Sequence, residues 1–150
     1  MASLGTARSK AKDAAIKENL IGVRTSAEIY FTDNGNNYGP DFSSIKCPTP
    51  GNDVMPPTMF HKNNAITAAK SINNALTESS KITRKTSNDA PLLCFSDSNT
   101  YAVAGILHTE GPSGNPSSWF CVDSSGVGKV VNTLNDHTSP ITLPSPFHCK

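Results

Sequence analysis

The 150-residue sequence is low in charge and lacks the common motifs of catalysis and cofactor binding. Only 17% of its residues are charged and the formal net charge is +1, so its composition does not favour nucleic acid or an anionic membrane as a partner. It has no CxxC pair for zinc or redox chemistry, no GxSxG turn for a serine hydrolase and no phosphate-binding glycine pattern. We therefore predict that the chain is not an enzyme and holds no cofactor or metal.

Long apolar runs are also missing. No apolar stretch reaches the length needed to span a membrane. The uncharged polar residues Ser, Thr and Asn are abundant instead, which is typical of a secreted protein with long loops. An even number of cysteines in such a chain predicts two disulfides and an oxidising compartment, and four buried thiols are the alternative. The cysteines are Cys47, Cys94, Cys121 and Cys149.

Three disulfide connectivities are compatible with four cysteines. We favour Cys94–Cys121 together with Cys47–Cys149, because the second pair would fix the C-terminus through its penultimate residue.

The composition and spacing of residues 3–31 predict one long helix. It contains no proline and is rich in Ala, Lys, Glu and Leu, which favour helices. Its second half carries apolar residues at helical spacing, which predicts a face packed on the rest of the protein. These residues are Ile16, Leu20, Val23, Ala27 and Tyr30 or Phe31.

The first half of this helix has a different pattern, since the apolar stripe fades before residue 16. It offers a set of small or apolar side chains that suit close packing against neighbouring helices: Leu4, Ala7, Ala11, Ala14 and Ala15. One interpretation is that this half projects and packs against other subunits. The other is an ordinary amphipathic helix with a frayed N-terminus, and the pattern favours neither.

The remainder predicts an α+β fold with one domain. Turn residues at 33–40 end the first helix, and a second, short helix is predicted at about 63–79. Short runs of strand-forming residues separated by turn residues then predict a meander of three or four antiparallel strands, packed on the first helix. The resulting divisions are 1–31 for the helix, 32–90 for the connection, 91–131 for the meander and 132–150 for a C-terminal loop. The predicted strands are 92–96, 101–108, 118–123 and 127–131.

Two stretches carry a resemblance to a known family. The first joins residues 3–15 to residues 27–35 and Tyr38, with a charged middle and a closing Asp-Asn-Gly turn. The second joins residues 101–107 to Trp119-Phe120-Cys121-Val122-Asp123-Ser124-Ser125-Gly126. In this order they resemble the type IV pilins and pseudopilins of bacteria.

The resemblance implies a structural subunit of an extracellular, cell-surface type IV pilus, or fimbrium, that serves adhesion, twitching motility or DNA uptake. Its partners would be other pilin subunits in a helical homopolymer and the inner-membrane assembly machinery. The full-length precursor would lie in the inner membrane, with a basic leader, a processing site, an apolar helix and an N-terminus methylated after processing. We expect the sequence to be the head of such a protein without that segment. The alternatives are a pseudopilin of a type II secretion-like system and a non-polymeric secreted binding module.

Other residues give weaker indications. Asp33, Asp41 and Asp53 lack EF-hand spacing, so calcium is not favoured. The loop at 110–118 is the best candidate for an exposed contact surface, and we expect Trp119 to pack on the sheet. The histidines show no metal-ligand spacing and are expected at the surface or in turns: His61, His108, His137 and His148.

The basic residues of the first helix, Arg8, Lys10 and Lys12 among them, alternate with acidic ones. We interpret them as ion-pairing groups between subunits rather than as a DNA-binding surface.

Overall fold

A long helix lies across one face of an antiparallel sheet in the computed structural model. The structure describes residues 2–44, 47, 58–61, 66–82, 92–108, 118–132, 141 and 148–149. The α+β prediction is confirmed. The elements are α1 (Ala2–Asp33), β1 (Phe42–Ser44), α2 (Thr67–Ile82), β2 (Leu92–Ser96), β3 (Tyr101–Ile106), β4 (Ser118–Asp123) and β5 (Gly128–Asn132).

The sheet contains the predicted meander, which has four of the three or four strands expected, and one short strand is added at its edge. Strands β2 to β5 pair consecutively and antiparallel, and β1 pairs with β2 through Phe42 opposite Ser96. The three-residue β1 was not predicted because three residues are too few to form a recognisable run of strand-forming residues. The short helix lies in the connection as predicted, although α2 begins at Thr67 and runs to Ile82, and residues 63–65 are outside the described part.

The end of α1 follows from its turn sequence. The Asn36 N–H donates to the carbonyl of Phe31 at 2.8 Å, and Gly35 and Asn36 both have positive φ, at 70° and 61°. This arrangement satisfies a terminal helix carbonyl and uses glycine where the left-handed conformation is needed. The predicted stop at the Asp-Asn-Gly turn is confirmed, and α1 extends to Asp33.

Both faces of the central strands are covered. The first face packs against α1 and α2, with Ile16, Leu20 and Val23 fully buried as the predicted stripe requires. The second face forms its own apolar cluster, in which Trp119 packs on the sheet beside Ile141 and Cys149. As a result every residue of β2, β3 and β4 is buried.

The disulfides are Cys47–Cys94 and Cys121–Cys149, so the predicted pairing of Cys94 with Cys121 and of Cys47 with Cys149 is wrong. Strand β3 lies between β2 and β4, and Cys94 aligns through Val103 with Val122 rather than with Cys121. Successive residues of a strand point to opposite faces. Cys94 therefore faces the helices while Cys121 faces the other side, two strands away.

Gly105 permits the close approach of α1 to β3. A Cβ at this position would lie 3.0 Å from Leu92 Cδ2 and 3.2 Å from both Ile16 Cγ2 and Leu20 Cδ1.

We expect Gly105→Val to lower the free energy of unfolding by about 1–3 kcal/mol, because the added atoms overpack the helix–sheet contact. Urea unfolding would measure the change. Gly128→Val in β5, two strands away in the same sheet, is the matched control, since a Cβ there lies at an ordinary 3.5 Å from Phe120. Equal stability of the two variants would contradict the close packing at Gly105.

Candidate assembly surface

The amino half of α1 extends beyond the protein's own core. The side chains at 4–8 and 10–12 are exposed, and Leu4 is 64% exposed despite being apolar. The first buried side chain along the helix is Asp13, followed by Ile16. At 1.5 Å per residue, the part from Ala2 to Lys12 spans about 16 Å.

The residues predicted for subunit packing lie together on this segment. With 3.6 residues per turn, Leu4, Ala7, Ala11 and Ala14 share one side of the helix. All four are exposed, whereas Ala15 at their margin is partly buried. Their side of α1 is opposite the buried stripe of Ile16, Leu20 and Val23, so the protein's own core leaves it accessible.

Asp13 anchors the base of the projecting segment. It is only 3% exposed, and its Oδ1 accepts a hydrogen bond of 2.5 Å from the N–H of His108, just after β3. His108 Nε2 in turn lies 2.7 Å from the carbonyl oxygen of Ile82, at the end of α2. Three elements are thus joined where α1 leaves the core. Sequence analysis missed this role, because one carboxylate in a charged helix is typical of a solvated surface.

Two further apolar residues are exposed on the carboxyl half of α1. Ile29 is 52% exposed and Ile21 is 47% exposed. With Gly22 and Thr25, which are also exposed, they continue the side of the helix that carries Leu4 and Ala11. Sequence analysis did not assign Ile21 and Ile29 to this surface. Each is nevertheless separated from one of the alanines by a whole number of helical turns, to within about half a residue.

The carboxyl end of α1 packs in a cluster of aromatic rings. Tyr38 donates a hydrogen bond of 3.0 Å to Glu28 Oε1, and its ring lies 4.6 Å from Phe31 and 5.0 Å from Tyr101 between centroids. Burial raises the pKa of Tyr38, and the hydrogen bond to Glu28 raises it further. Burial also raises the pKa of Tyr101. Both phenols are therefore neutral at physiological pH, and the Tyr38 hydroxyl links the turn to α1 through Glu28.

Asp123 organises the strand end that carried part of the family resemblance. It is 1% exposed, and its Oδ1 accepts hydrogen bonds from the Ser125 N–H at 2.9 Å and the Ser125 hydroxyl at 2.6 Å. Its Oδ2 accepts from the Cys149 N–H at 2.8 Å. Arg24 ties α1 to the same turn by donating to the Gly126 carbonyl at 2.7 Å. The motif residues therefore hold the C-terminal disulfide and the helix in place.

The remaining candidate residues do not converge on a chemical site. Within the described ranges no three His, Cys, Asp or Glu side chains are placed to hold a metal ion. Asp33 and Asp41 are exposed near a shallow polar groove of about 510 Å³ lined by Asn34, Asn37 and Asp41. Asp53 and His137 lie outside the described residues.

His61 is buried at 5% exposure, and its N–H closes a turn by donating to the carbonyl of Thr58 at 3.0 Å, so it lies in a turn as one of the two predicted settings. His148 is exposed as predicted, while His108 is half-buried at the anchor of α1. Of the loop predicted as a contact surface at 110–118, the structure describes only Ser118.

No helix in the described part of the chain is long and apolar enough to span a membrane. Comparison of the chain with protein-family models, with curated proteins and with solved structures gives no match.

Proposed function

We propose that this chain is the head of a type IV pilin, a structural subunit of an extracellular filament that serves adhesion, twitching motility or DNA uptake. The observation that carries the proposal is the amino half of α1, which extends from the core with Leu4 64% exposed. An apolar strip on a helix needs a partner, because isolated short helices are marginally stable in water. The partners would be other copies of the subunit, brought together by an inner-membrane assembly machinery.

The head itself suits an extracellular polymer. Two disulfides, one on each face of the sheet, are compatible with an oxidising compartment. We propose no catalytic role, cofactor or nucleic-acid partner for the head. In this function the attachment of α1 to the rest of the head matters most, since a filament transmits force through this helix. Besides the apolar packing, Asp13 and Arg24 attach α1 to the head through hydrogen bonds.

A filament can be tested in the producing cell with antibodies against the head and electron microscopy. We expect the full-length protein to carry an apolar N-terminal helix of about 20–25 residues and to form long surface fibres. Short periplasmic fibres would indicate a pseudopilin instead. Release of the protein as a free, non-polymeric species would contradict the proposal and favour a secreted binding module.

A single substitution on the exposed strip formed by Leu4, Ala7, Ala11 and Ala14 tests whether this strip packs between subunits. We expect Ala11→Glu to abolish fibres without changing the melting temperature of the head, because Ala11 is exposed in the head and would become buried between subunits in the proposed filament. Ser71→Glu, on an exposed position of α2, is the control and should leave fibres intact. Normal fibres from the Ala11→Glu protein would contradict a packing role for this strip.

A further inference from the structure

Strand β5 is the last strand of the sheet, and the structure describes no strand on its outer side. Gly128, Lys129 and Val130 are all exposed. Because glycine has no side chain, the exposure of Gly128 is that of its backbone. Among the described residues, Val130 is the one large apolar side chain outside α1 that is exposed, at 36%. The outer edge of β5 is therefore open to a partner.

The hydrogen bonds of the β4–β5 hairpin determine which backbone groups of β5 point outward. The Asp123 N–H donates to the Val127 carbonyl at 3.2 Å, and opposite residues in an antiparallel pair alternate between bonded and non-bonded pairs. Counted along the register from Val127, every second residue of β5 therefore bonds to β4 through its backbone. These residues are Lys129 and Val131. The N–H and C=O groups of Gly128 and Val130 point away from the sheet.

The bonds between β3 and β4 give the same assignment independently. The Leu107 N–H donates to the Ser118 carbonyl at 2.9 Å, and the Ser124 N–H donates to the Tyr101 carbonyl at 3.1 Å. The even-numbered residues of β4 thus bond to β3, which leaves the odd-numbered residues to bond to β5. This is the alternation that directs Gly128 and Val130 outward.

Strand β5 has few of the features that protect an edge strand from pairing. It contains no proline, and its register against β4 runs from Gly128 to Asn132 without a bulge. Its one charged residue is Lys129. An unprotected edge presents unpaired N–H and C=O groups to an extended strand of another chain. The partner that fits this surface is therefore a strand.

We propose that two copies of this chain pair through the outer edges of β5, antiparallel and with Val130 at the two-fold axis, so that their sheets join into one continuous sheet. The contact is isologous, because the same surface of each copy is used. It goes beyond the proposed filament and does not rest on it, since it involves β5 and no residue of α1.

Backbone direction and charge select the axis. Outward groups must face outward groups, which restricts the axis to Lys129, Val130 or Val131. An axis at Lys129 would place the two lysines directly opposite each other, and like charges in that position are destabilising. An axis at Val131 would pair fewer of the outward residues. With the axis at Val130, Gly128 of each copy bonds to Asn132 of the other, and all outward residues of β5 are paired.

The side chains are compatible with this register. Side chains alternate between the faces of a sheet, so Val130 lies on the face of Phe120, its neighbour in β4. In the pair it meets Val130 of the second copy, and apolar cross-strand pairs of β-branched residues are stabilising. Lys129 lies on the other face, opposite Val131 of the second copy, where it meets no like charge.

The helices leave room for the pair. Helix α1 contacts β3 and β4, and neighbouring strands are about 4.8 Å apart. The two α1 helices would therefore lie about 19 Å apart across the joined sheet, which exceeds the diameter of a helix, about 10–12 Å. The two-fold axis makes them antiparallel. In a helical filament all copies of α1 point the same way, so this contact joins free heads or heads of separate filaments.

A proline at the axis tests the proposal on the 150-residue chain by sedimentation over a range of protein concentrations. We expect the wild-type chain to form dimers and no larger species. Val130→Pro removes only an outward N–H, and proline is tolerated at such positions of an edge strand. The variant should fold and associate at least about tenfold more weakly, because each copy loses a hydrogen bond at the axis.

Two variants serve as matched controls. Val130→Ile keeps the N–H and the apolar side chain and should associate within about threefold of wild type. Val131→Pro removes an N–H that bonds to β4, so its melting temperature should fall well below that of Val130→Pro. Wild-type dimerisation by the Val130→Pro protein would overturn the proposal, as would a wild-type chain that stays monomeric at its highest soluble concentration.

Amide hydrogen exchange tests the register on the wild-type chain alone. Exchange at the Gly128 and Val130 N–H groups should slow as the protein concentration rises, because dimerisation bonds them. The Lys129 and Val131 N–H groups bond to β4 in the monomer and should be protected at every concentration, which makes them the internal reference. Association without slower exchange at Gly128 and Val130 would place the interface elsewhere and overturn the proposal.

Discussion

Replacing Cys121 and Cys149 together by serine is expected to lower the free energy of unfolding by about 2–5 kcal/mol. The disulfide between them joins positions 28 residues apart, and its loss frees the unfolded chain from that constraint. In the folded state the bond also holds the C-terminal residues over the second face of the sheet. There Cys149 forms an isolated bridge with Ile141, and both residues pack in the same cluster as Trp119.

Trp119 is a specific probe of this face of the sheet, because it is the only tryptophan in the chain and is 9% exposed there. We expect its fluorescence emission to shift to longer wavelength in the Cys121→Ser/Cys149→Ser protein before global unfolding begins. Urea unfolding followed by fluorescence and by circular dichroism would separate the two events. The hydrogen bond from Cys149 N–H to Asp123 would remain as a polar attachment of Cys149.

Cys47→Ser/Cys94→Ser is the matched control. That disulfide joins positions 47 residues apart, and both cysteines belong to the cluster between the sheet and the helices. We expect a loss of stability of similar size without an early change at Trp119, which lies on the opposite face. An early emission shift in both double variants would argue against a separate role for the C-terminal disulfide.

The α1 helix and the meander could be predicted because each follows from a local pattern. Helical spacing indicated the buried stripe, and short runs of strand-forming residues bounded by turn residues indicated the strands. The predicted 92–96 and 118–123 are the observed β2 and β4. The disulfide pairing was wrong because it depends on which strands are neighbours and on which face each cysteine lies. The register of β4 against β3, which places Cys121 opposite Ala104, follows a long connection that carries no local signal.

Of the exposed surface of α1, only the amino half was predicted from the sequence. Once Ile16 and Leu20 were assigned to the core, Ile21 and Ile29 had no separate signal, since an amphipathic helix is described by the face it buries. The sequence alone does not say whether a second apolar strip is covered by the same protein. That required the position of the sheet, which lies against one side of α1 and leaves the other exposed.

Leu20 and Ile29 lie on opposite sides of the same helix, so truncation to alanine is expected to lower the stability of the head at Leu20 but not at Ile29. Leu20 is fully buried against Gly105, so Leu20→Ala should lower the free energy of unfolding by about 2–5 kcal/mol through the cavity it leaves. For a domain of this size that corresponds to a fall in melting temperature of at least about 4 °C. Ile29 is 52% exposed, so Ile29→Ala should change the free energy of unfolding by less than about 0.5 kcal/mol.

Among the molecules that remain folded, fibre assembly should be weakened by Ile29→Ala and not by Leu20→Ala. Ile29→Ala removes apolar area from the exposed side of α1, which is proposed to meet other copies, so we expect fewer fibres from a head of unchanged stability. Leu20→Ala leaves that side intact, and its fibre yield per folded molecule should match the wild type at a temperature well below its melting point. Thr25→Ala, a smaller change on the same exposed side, should lie between wild type and Ile29→Ala. If Ile29→Ala destabilised the head while fibre yield per folded molecule stayed constant, the exposed side of α1 would belong to the core and not to a contact between subunits.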